Sequence, residues 1–317
     1  MKKIKLFMAI MTLLAAVSGC APAAEEARLT VVCTTYPIYL FASSVTEGVE
    51  GVTVERLDTG STSCLHDYTL SMEDMKKLER ADVIAVNGAG LEEFLEDALE
   101  TSDAQMIDCS TGVELLENLS HHHEDGEDEH GGHDHGHWDP HYWMDPGSAR
   151  AAVGNLRNFL VLYDPDHAAR YETNVKTLDQ SLKELEEFLS VRTQAFLSAG
   201  SDMPGLITFH DGFQYFAAAC GLPLLASVEE EAGSEASAHE IVEITQLVKE
   251  YDIPVIFTEV NGSDATAKAI ARETGCSVGQ LTMVMDGPEG EGITPYLDGL
   301  HQNVYAVIES FRKMVGD

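Results

Sequence analysis

The chain has 317 residues, of which 44% are hydrophobic, and its 54 acidic against 19 basic residues give a formal net charge of −35. This length allows two domains of ordinary size, and the apolar content is normal for a folded globular protein. So large an excess of negative charge argues against nucleic acid or anionic lipid headgroups as binding partners and favours the attraction of cations.

The N-terminus has the layout of a bacterial lipoprotein signal. Lysines precede an apolar run from Leu6 to Val17, which is too short to span a bilayer as a stable helix. The run ends in Val17-Ser18-Gly19-Cys20, which resembles a lipobox. We therefore expect residues 1–20 to be a signal peptide, and Cys20 to be the lipidated residue that anchors the mature protein outside the cytoplasmic membrane. The alternative is an ordinary cleaved signal with an incidental cysteine.

Strands and helices alternate over the first part of the mature chain. The sequence predicts strands at residues 28–35, 51–57 and 82–87 and helices at residues 38–47, 71–80 and 91–99. Such alternation is typical of a parallel sheet covered by helices on both faces. Ligands bind such sheets outside the carboxyl ends of the strands, and the polar loop that carries His66 follows the second predicted strand.

A histidine-rich acidic loop interrupts this pattern at residues 120–137. It contains seven of the thirteen histidines, six acidic residues and almost nothing apolar, so it cannot bury a core. Neutral imidazole is the commonest metal ligand at neutral pH and suits zinc, copper and nickel. We predict a solvated metal-collecting loop, although a plain solvated linker is the alternative. Its auxiliary ligands would be His121, His122, His123, His130, His133, His135 and His137.

The middle of the chain is almost entirely helical in pattern. It is preceded by Trp138–Pro146, where His141 stands among aromatic residues between two Asp-Pro turns, as expected of an ordered site. Apolar residues then recur at helical intervals over residues 148–162 and again from Asp166 onward. The second of these helices has about thirty residues, which at about 1.5 Å each form a rod of roughly 45 Å. A rod of that length is long enough to join two lobes.

The alternation of strands and helices returns in the last third of the chain. Strands are predicted at residues 205–210, 222–227, 255–259, 276–278 and 281–285, and helices at residues 212–220, 238–250 and 296–314. Polar residues again stand where predicted strands end, namely His210, Glu259 and Asp286.

Four residues are candidate ligands of a single metal ion: His66, His141, His210 and Asp286. Each follows or ends a predicted strand or lies in a polar loop, so two facing lobes would gather them in one cleft. Three imidazoles and one carboxylate suit tetrahedral zinc. Taken singly, a histidine at a strand end is more often a hydrogen-bonded structural residue, and periodicity alone does not decide between these roles.

The motifs of the chain follow one another in a characteristic order. A lipobox is followed by His66-Asp67-Tyr68, the histidine-rich loop, Asp139-Pro-His-Tyr-Trp-Met-Asp-Pro146, a long helix and Phe209-His-Asp-Gly-Phe-Gln-Tyr-Phe216. This order closely resembles that of the zinc and manganese receptors of bacterial ABC transporters, over almost the whole mature chain. The octapeptide that ends at Pro146 is its most specific element. Where the family commonly has proline before the first histidine, this chain has Cys64-Leu65.

The resemblance implies an α/β fold of two lobes, each a parallel sheet flanked by helices, joined by one long rigid helix with the metal site in the cleft between them. With the patterns above, it places the N-terminal lobe at residues 28–162, the linking helix at 163–197 and the C-terminal lobe at 198–317. The family's metal histidines carry over onto His66, His141 and His210, and its carboxylate ligand onto Asp286.

The resemblance implies that the protein is a monomer that captures Zn²⁺ outside the membrane. It would deliver the ion to an ABC permease driven by its ATPase, and it would catalyse no reaction. His210 and the histidine-rich loop favour zinc, because imidazole-rich sites favour zinc and carboxylate-rich sites favour manganese. Mn²⁺ is the alternative cargo. Glu259 and Asp67 are candidates for orienting the ligand imidazoles, as metal sites usually require.

Two other functions fit parts of the sequence. A secreted zinc hydrolase would need an open coordination position and a general base such as Glu259 or Asp67, but no catalytic metal motif such as HExxH is present. A histidine-rich metal buffer or adhesin would depend on the loop alone. The five cysteines after Cys20 are an odd number, which leaves at least one thiol unpaired unless it bonds another chain.

Overall fold

The structure is a computed structural model that describes residues 28–58, 68–100, 102–119, 137–199, 203–227, 237–260 and 262–315. Several predicted residues lie outside the described ranges: Cys20, Cys64, His66, Asp67, His121, His122, His123, His130, His133 and His135. Within those ranges, no helix combines the length and the apolar character needed to cross a membrane.

The first half of the chain forms a parallel four-stranded sheet, the first sheet, with strand order β2-β1-β3-β4. Its strands are β1 (Leu29–Cys33), β2 (Val52–Arg56), β3 (Val83–Val86) and β4 (Gln105–Asp108). Its helices are α1 (Tyr36–Val45), α2 (Met72–Arg80) and the short α3 (Glu96–Glu100), which follows a 3₁₀ turn at Glu93–Leu95. The sequence did not predict β4, because this edge strand buries only Ile107 and shows no apolar run.

Two helices connect the sheets. The first, α4 (Pro146–Tyr163), has proline at its first helical position and is capped by Asp145, whose carboxylate accepts hydrogen bonds from the backbone N–H groups of Gly147 and Ser148. The second, α5 (Ala168–Ser198), has 31 residues and is the predicted long rod. Its apolar positions recur every three or four residues and are buried: Leu178, Leu182, Leu185 and Leu189.

The second half of the chain forms the second sheet, with the same arrangement of strands, β6-β5-β7-β8. Its strands are β5 (Leu206–Phe209), β6 (Leu224–Ser227), β7 (Val255–Glu259) and β8 (Ser277–Leu281). Its helices are α6 (Gln214–Cys220), α7 (Ala238–Glu250), α8 (Ala265–Thr274) and α9 (Thr294–Val315). The predicted fold class, two helix-flanked parallel sheets and one long joining helix, is therefore confirmed.

One prediction in the second sheet was wrong. The two short strands expected at residues 276–278 and 281–285 are the single strand β8, which ends at Leu281. A strand over the whole of residues 281–285 is excluded, because Val284 has φ of +58°, in the left-handed region that is unfavourable for a β-branched residue. The residues between β8 and α9 are therefore irregular, and they include Asp286.

A single hydrophobic cluster contains side chains from both sheets and from α4, α5 and α9. The two halves of the chain therefore share a core. The cysteines in the described residues are free thiols, with Cys33, Cys109 and Cys220 inside this core and Cys276 half-buried.

Asp164 lies between α4 and α5 and binds Arg28, the residue before β1. Its buried carboxylate accepts two hydrogen bonds from Arg28, at 2.9 and 2.7 Å, and one from the hydroxyl of Tyr171 at 2.7 Å. Nδ1 of His167 lies 3.1 Å from its Oδ2. Burial acts to raise the pKa of Asp164, but these hydrogen bonds outweigh burial and lower the pKa to about 2. The ionised carboxylate therefore stabilises the folded protein.

We expect Asp164→Asn to lower the free energy of unfolding at pH 7 by about 2 kcal/mol, since each pKa unit is worth about 1.36 kcal/mol. The contribution is present above the ordinary pKa of 3.8 and is lost as the pH falls towards about 2. Urea unfolding of the metal-free protein should therefore show a difference between wild type and variant that shrinks from pH 4 to pH 2. Asp166→Asn, at an exposed neighbour, is the control, and a constant difference would contradict the prediction.

Candidate metal site

His210 and Glu259 come together because their strands are neighbours. His210 follows β5 directly and Glu259 is the last residue of β7, which pairs with β5 in parallel. Both side chains are only 3% exposed, and Oε2 of Glu259 lies 3.6 Å from Nδ1 of His210. His210 has φ of +150°, a conformation that residues with side chains rarely adopt. Backbone strain of this kind is stored at functional positions when the surrounding structure enforces it.

Glu259 is a carboxylate in an apolar environment. Burial raises its pKa to about 7, and a favourable electrostatic interaction with the His141 side chain partly opposes that rise. His141 lies near the carboxyl edge of the second sheet, because its ring packs against that of His210. A divalent cation bound at this edge would favour the ionised form of Glu259.

His141 is oriented by Asp139, which is 2% exposed. Oδ1 of Asp139 accepts a hydrogen bond from the backbone N–H of His141 at 2.8 Å and lies 2.8 Å from Nδ1 of the same residue. This geometry assigns the proton to Nδ1 and directs the lone pair to Nε2, because an ionised carboxylate only accepts hydrogen bonds. Nε2 of His141 is therefore the ring nitrogen that would be available to a metal.

The imidazoles of His141 and His210 form a crossed pair. Their ring centroids are 5.4 Å apart and their planes meet at 82°. In each ring Nδ1 faces a buried carboxylate, Asp139 for His141 and Glu259 for His210. Metal-binding histidines usually have such a carboxylate on the nitrogen that does not bind the metal.

This pair does not by itself complete a metal site. In the part of the chain that the structure describes, no three His, Cys, Asp or Glu side chains converge closely enough to hold an ion. His66, the third predicted imidazole, lies outside the described residues. The described residues therefore bring together two predicted ligands and the carboxylates that orient them.

Asp286, the predicted carboxylate ligand, contacts a cation of the first sheet. Its Oδ1 lies 3.0 Å from Nη2 of Arg56, at the end of β2, and its side chain is 47% exposed. Nε of the same Arg56 lies 3.0 Å from Oε1 of Glu289, and its guanidinium stacks over the ring of Tyr36. The recorded ion pair uses only Oδ1 of Asp286, and the role of this carboxylate as a metal ligand stays a prediction.

The histidine-rich loop begins and ends beside His141. Leu116–Asn118 and His137–Asp139 form a short antiparallel stem, in which the N–H of Asn118 donates to the carbonyl of His137 at 3.1 Å and that of Asp139 to Leu116 at 2.9 Å. His137, the one auxiliary histidine within the described ranges, is 63% exposed, and its Nε2 lies 3.8 Å from Oε1 of Glu117. The stem therefore connects the loop directly to the Asp139–His141 pair.

Two residues of this region were not identified from the sequence. Tyr215, on α6, donates its hydroxyl hydrogen to the carbonyl of Asp139 at 3.0 Å and accepts a hydrogen bond from the N–H of Leu116 at 2.8 Å. The sequence could have indicated Tyr215 through its position in the Phe209–Phe216 motif. Arg56 gave no signal, because its acidic partners are more than 200 residues away in the sequence.

A protein-family model matches most of the chain. The family described as ZnuA, zinc-uptake complex component A, periplasmic, matches residues 31–310.

Curated relatives carry metal-binding names. The zinc-binding protein AdcA of Streptococcus pyogenes serotype M3 is 29% identical over 297 residues, which cover 89% of this chain and 56% of AdcA. The present chain thus spans about half the length of this relative. The manganese-binding lipoprotein MntA of Halalkalibacterium halodurans is 28% identical over 241 residues, which cover 75% of each chain.

Among solved structures, the laminin-binding protein Lmb of Streptococcus agalactiae matches with a TM-score of 0.73 and 24% identity, over 89% of this chain and 99% of that one. It is described as a bifunctional protein with adhesin and metal-transporting activity. At this identity the likeness establishes the shared fold.

Proposed function

Because the chain belongs to the family of periplasmic zinc-uptake component A, we propose that it captures Zn²⁺ outside the cytoplasmic membrane and delivers it to an ABC permease. The observation that carries the proposal is the crossed imidazole pair of His141 and His210, each with Nδ1 facing a buried carboxylate. In this proposal His66 supplies a third imidazole and Asp286 a fourth ligand. The ion is the cargo of the protein.

The proposed partners follow from the same membership. The permease and its ATPase form the rest of the uptake system, and the protein presents the ion as a monomer held at the membrane by acyl chains on Cys20. The net charge of −35 supports this role, because a negative field raises the local concentration of cations.

Zinc is the preferred cargo on the chemistry of the site. Two imidazoles in the described residues and a third in the proposed set make the site rich in nitrogen, which suits zinc better than manganese. Mn²⁺ is the alternative cargo, in keeping with the name of the relative MntA.

A hydrolase is less well supported than a receptor. Glu259 is the candidate general base, but its Oε2 faces Nδ1 of His210 at 3.6 Å. A carboxylate in that position orients an imidazole, whereas a base would need to contact a metal-bound water. We therefore assign no catalytic residue.

Removal of the histidine-rich loop tests whether the cleft or the loop binds zinc tightly. Replacing residues 119–136 with Asn-Gly should close the stem as a two-residue hairpin, because Asn118 and His137 already pair. We expect the variant to keep one tight zinc site of unchanged affinity and to lose only weaker sites. Competitive titration of the metal-free proteins with Zn²⁺ and Mn²⁺ measures this.

Loss of every tight site in that variant would contradict the receptor function and favour the metal-buffer or adhesin alternative. If manganese bound as tightly as zinc, the proposed cargo would change, but the proposed site would not.

A further inference from the structure

The backbone just before His141 is held from both halves of the molecule. The carbonyl of Pro140 accepts a hydrogen bond from Nδ2 of Asn87 at 3.1 Å, and Asn87 follows β3 of the first sheet. The preceding carbonyl, that of Asp139, accepts one from the hydroxyl of Tyr215 at 3.0 Å, and Tyr215 lies on α6, next to the second sheet. Two successive peptide carbonyls are thus bound by side chains from the two halves.

Of these two side chains, Tyr215 is the one that lies close in the sequence to an imidazole of the pair. It lies five residues after His210 in the sequence and is 3% exposed. The segment from His210 to Tyr215 therefore supplies one imidazole directly and contacts the residue that orients the other. Asp139 receives the contact at its carbonyl, while its carboxylate faces Nδ1 of His141.

The Tyr215 hydroxyl also closes the base of the loop stem. It accepts a hydrogen bond from the N–H of Leu116 while it donates to Asp139, so it contacts both strands of the stem. Leu116 and Asp139 are joined to each other by the hydrogen bond from the N–H of Asp139 to the carbonyl of Leu116, at 2.9 Å. These three bonds form one closed network, in which loss of the hydroxyl would leave a part-buried N–H of Leu116 and a buried carbonyl of Asp139 without this partner.

We propose that Tyr215 is a positioning residue that sets the separation and angle of the His141 and His210 imidazoles, so that the two lie in metal-binding geometry before the ion arrives. This inference rests on the proposed function, in which both rings bind Zn²⁺. Tyr215 acts through Asp139 and does not touch the metal. Such preorganisation lowers the ordering that binding must otherwise impose on the ligands.

Tyr215→Phe tests the proposal, because it keeps the ring and its packing and removes only the hydroxyl. We expect zinc affinity to fall by about 10- to 100-fold, the range seen when outer partners of metal ligands are removed. Co²⁺, bound in place of zinc, reports coordination geometry directly, and its visible absorption bands should shift in the variant. The thermal unfolding of each metal-free protein shows that it is folded at the temperature of titration.

Two control variants separate positioning from a general loss of stability. Tyr171→Phe also removes a buried tyrosine hydroxyl, one that donates to Asp164. Gln214→Ala removes a hydrogen bond from α6 to the carbonyl of Glu117 in the same stem. Both should lower stability at most, with zinc affinity and the Co²⁺ spectrum as in wild type.

Wild-type zinc affinity and an unchanged Co²⁺ spectrum in Tyr215→Phe would overturn the inference while leaving the receptor function in place. Equal losses in Tyr215→Phe and Tyr171→Phe would also overturn it, because the effect would then be one of stability. A wild-type protein without a tight zinc site would overturn the receptor function, and this inference with it.

Discussion

Replacing His141 and His210 together with alanine is expected to abolish tight zinc binding. A structural zinc site with four ligands is worth about 10–16 kcal/mol, so each ligand contributes roughly 2.5–4 kcal/mol. Loss of two ligands should therefore weaken binding by at least about 10⁴-fold. The variant also leaves the buried carboxylates of Asp139 and Glu259 without the imidazoles that they face. Titration of the metal-free protein against a chelator of known affinity measures the effect.

The matched control replaces two histidines that belong to other parts of the fold. His239 is exposed and pairs with Glu243 on α7, and His301 packs edge-on against Phe188. The His239→Ala and His301→Ala double variant should keep the affinity of wild type. If the variant without His141 and His210 instead kept its affinity, the tight site would have to lie away from the sheet edges. Adding the loop replacement to that variant would show whether the loop binds the ion.

Much of the fold was predictable because buried parallel strands are nearly continuous apolar runs. β1, β3, β5 and β7 are such runs, and the sequence predicted all four. The missed elements lack that signal. β4 lies at a sheet edge with one buried residue, and α8 buries only Ala267 and Ile270.

The sequence indicated the candidate ligands of the site but not the side chains that contact them. His141 and His210 were recognisable from their motifs, but their partners depend on which strands are neighbours. Glu259 faces His210 because β7 pairs with β5, although the two residues are 49 positions apart in the sequence. The ion pair between Arg56 and Asp286 joins residues 230 positions apart. No local pattern encodes such a pairing.

Glu259→Gln is expected to weaken zinc binding by about 10- to 100-fold, the typical cost of losing a carboxylate that orients a metal-binding histidine. The substitution keeps the size of a side chain that is 3% exposed, so the packing at the end of β7 is retained. It removes the negative charge that would face Nδ1 of His210, and with it the stabilisation of an imidazole bound to a cation. Zinc affinity is measured by the same chelator competition, and thermal unfolding checks the fold.

Two companion variants show whether this loss reflects the site. Asp164→Asn also neutralises a buried carboxylate, but one that binds Arg28 and Tyr171, so it should lower stability and leave zinc affinity unchanged. Asp286→Asn addresses the proposed fourth ligand, and we expect it to weaken zinc binding because it removes a carboxylate from the coordination set. Unchanged affinity in Asp286→Asn would assign Asp286 to its ion pair with Arg56 alone. Unchanged affinity in Glu259→Gln would mean that His210 binds the metal without help from its carboxylate neighbour.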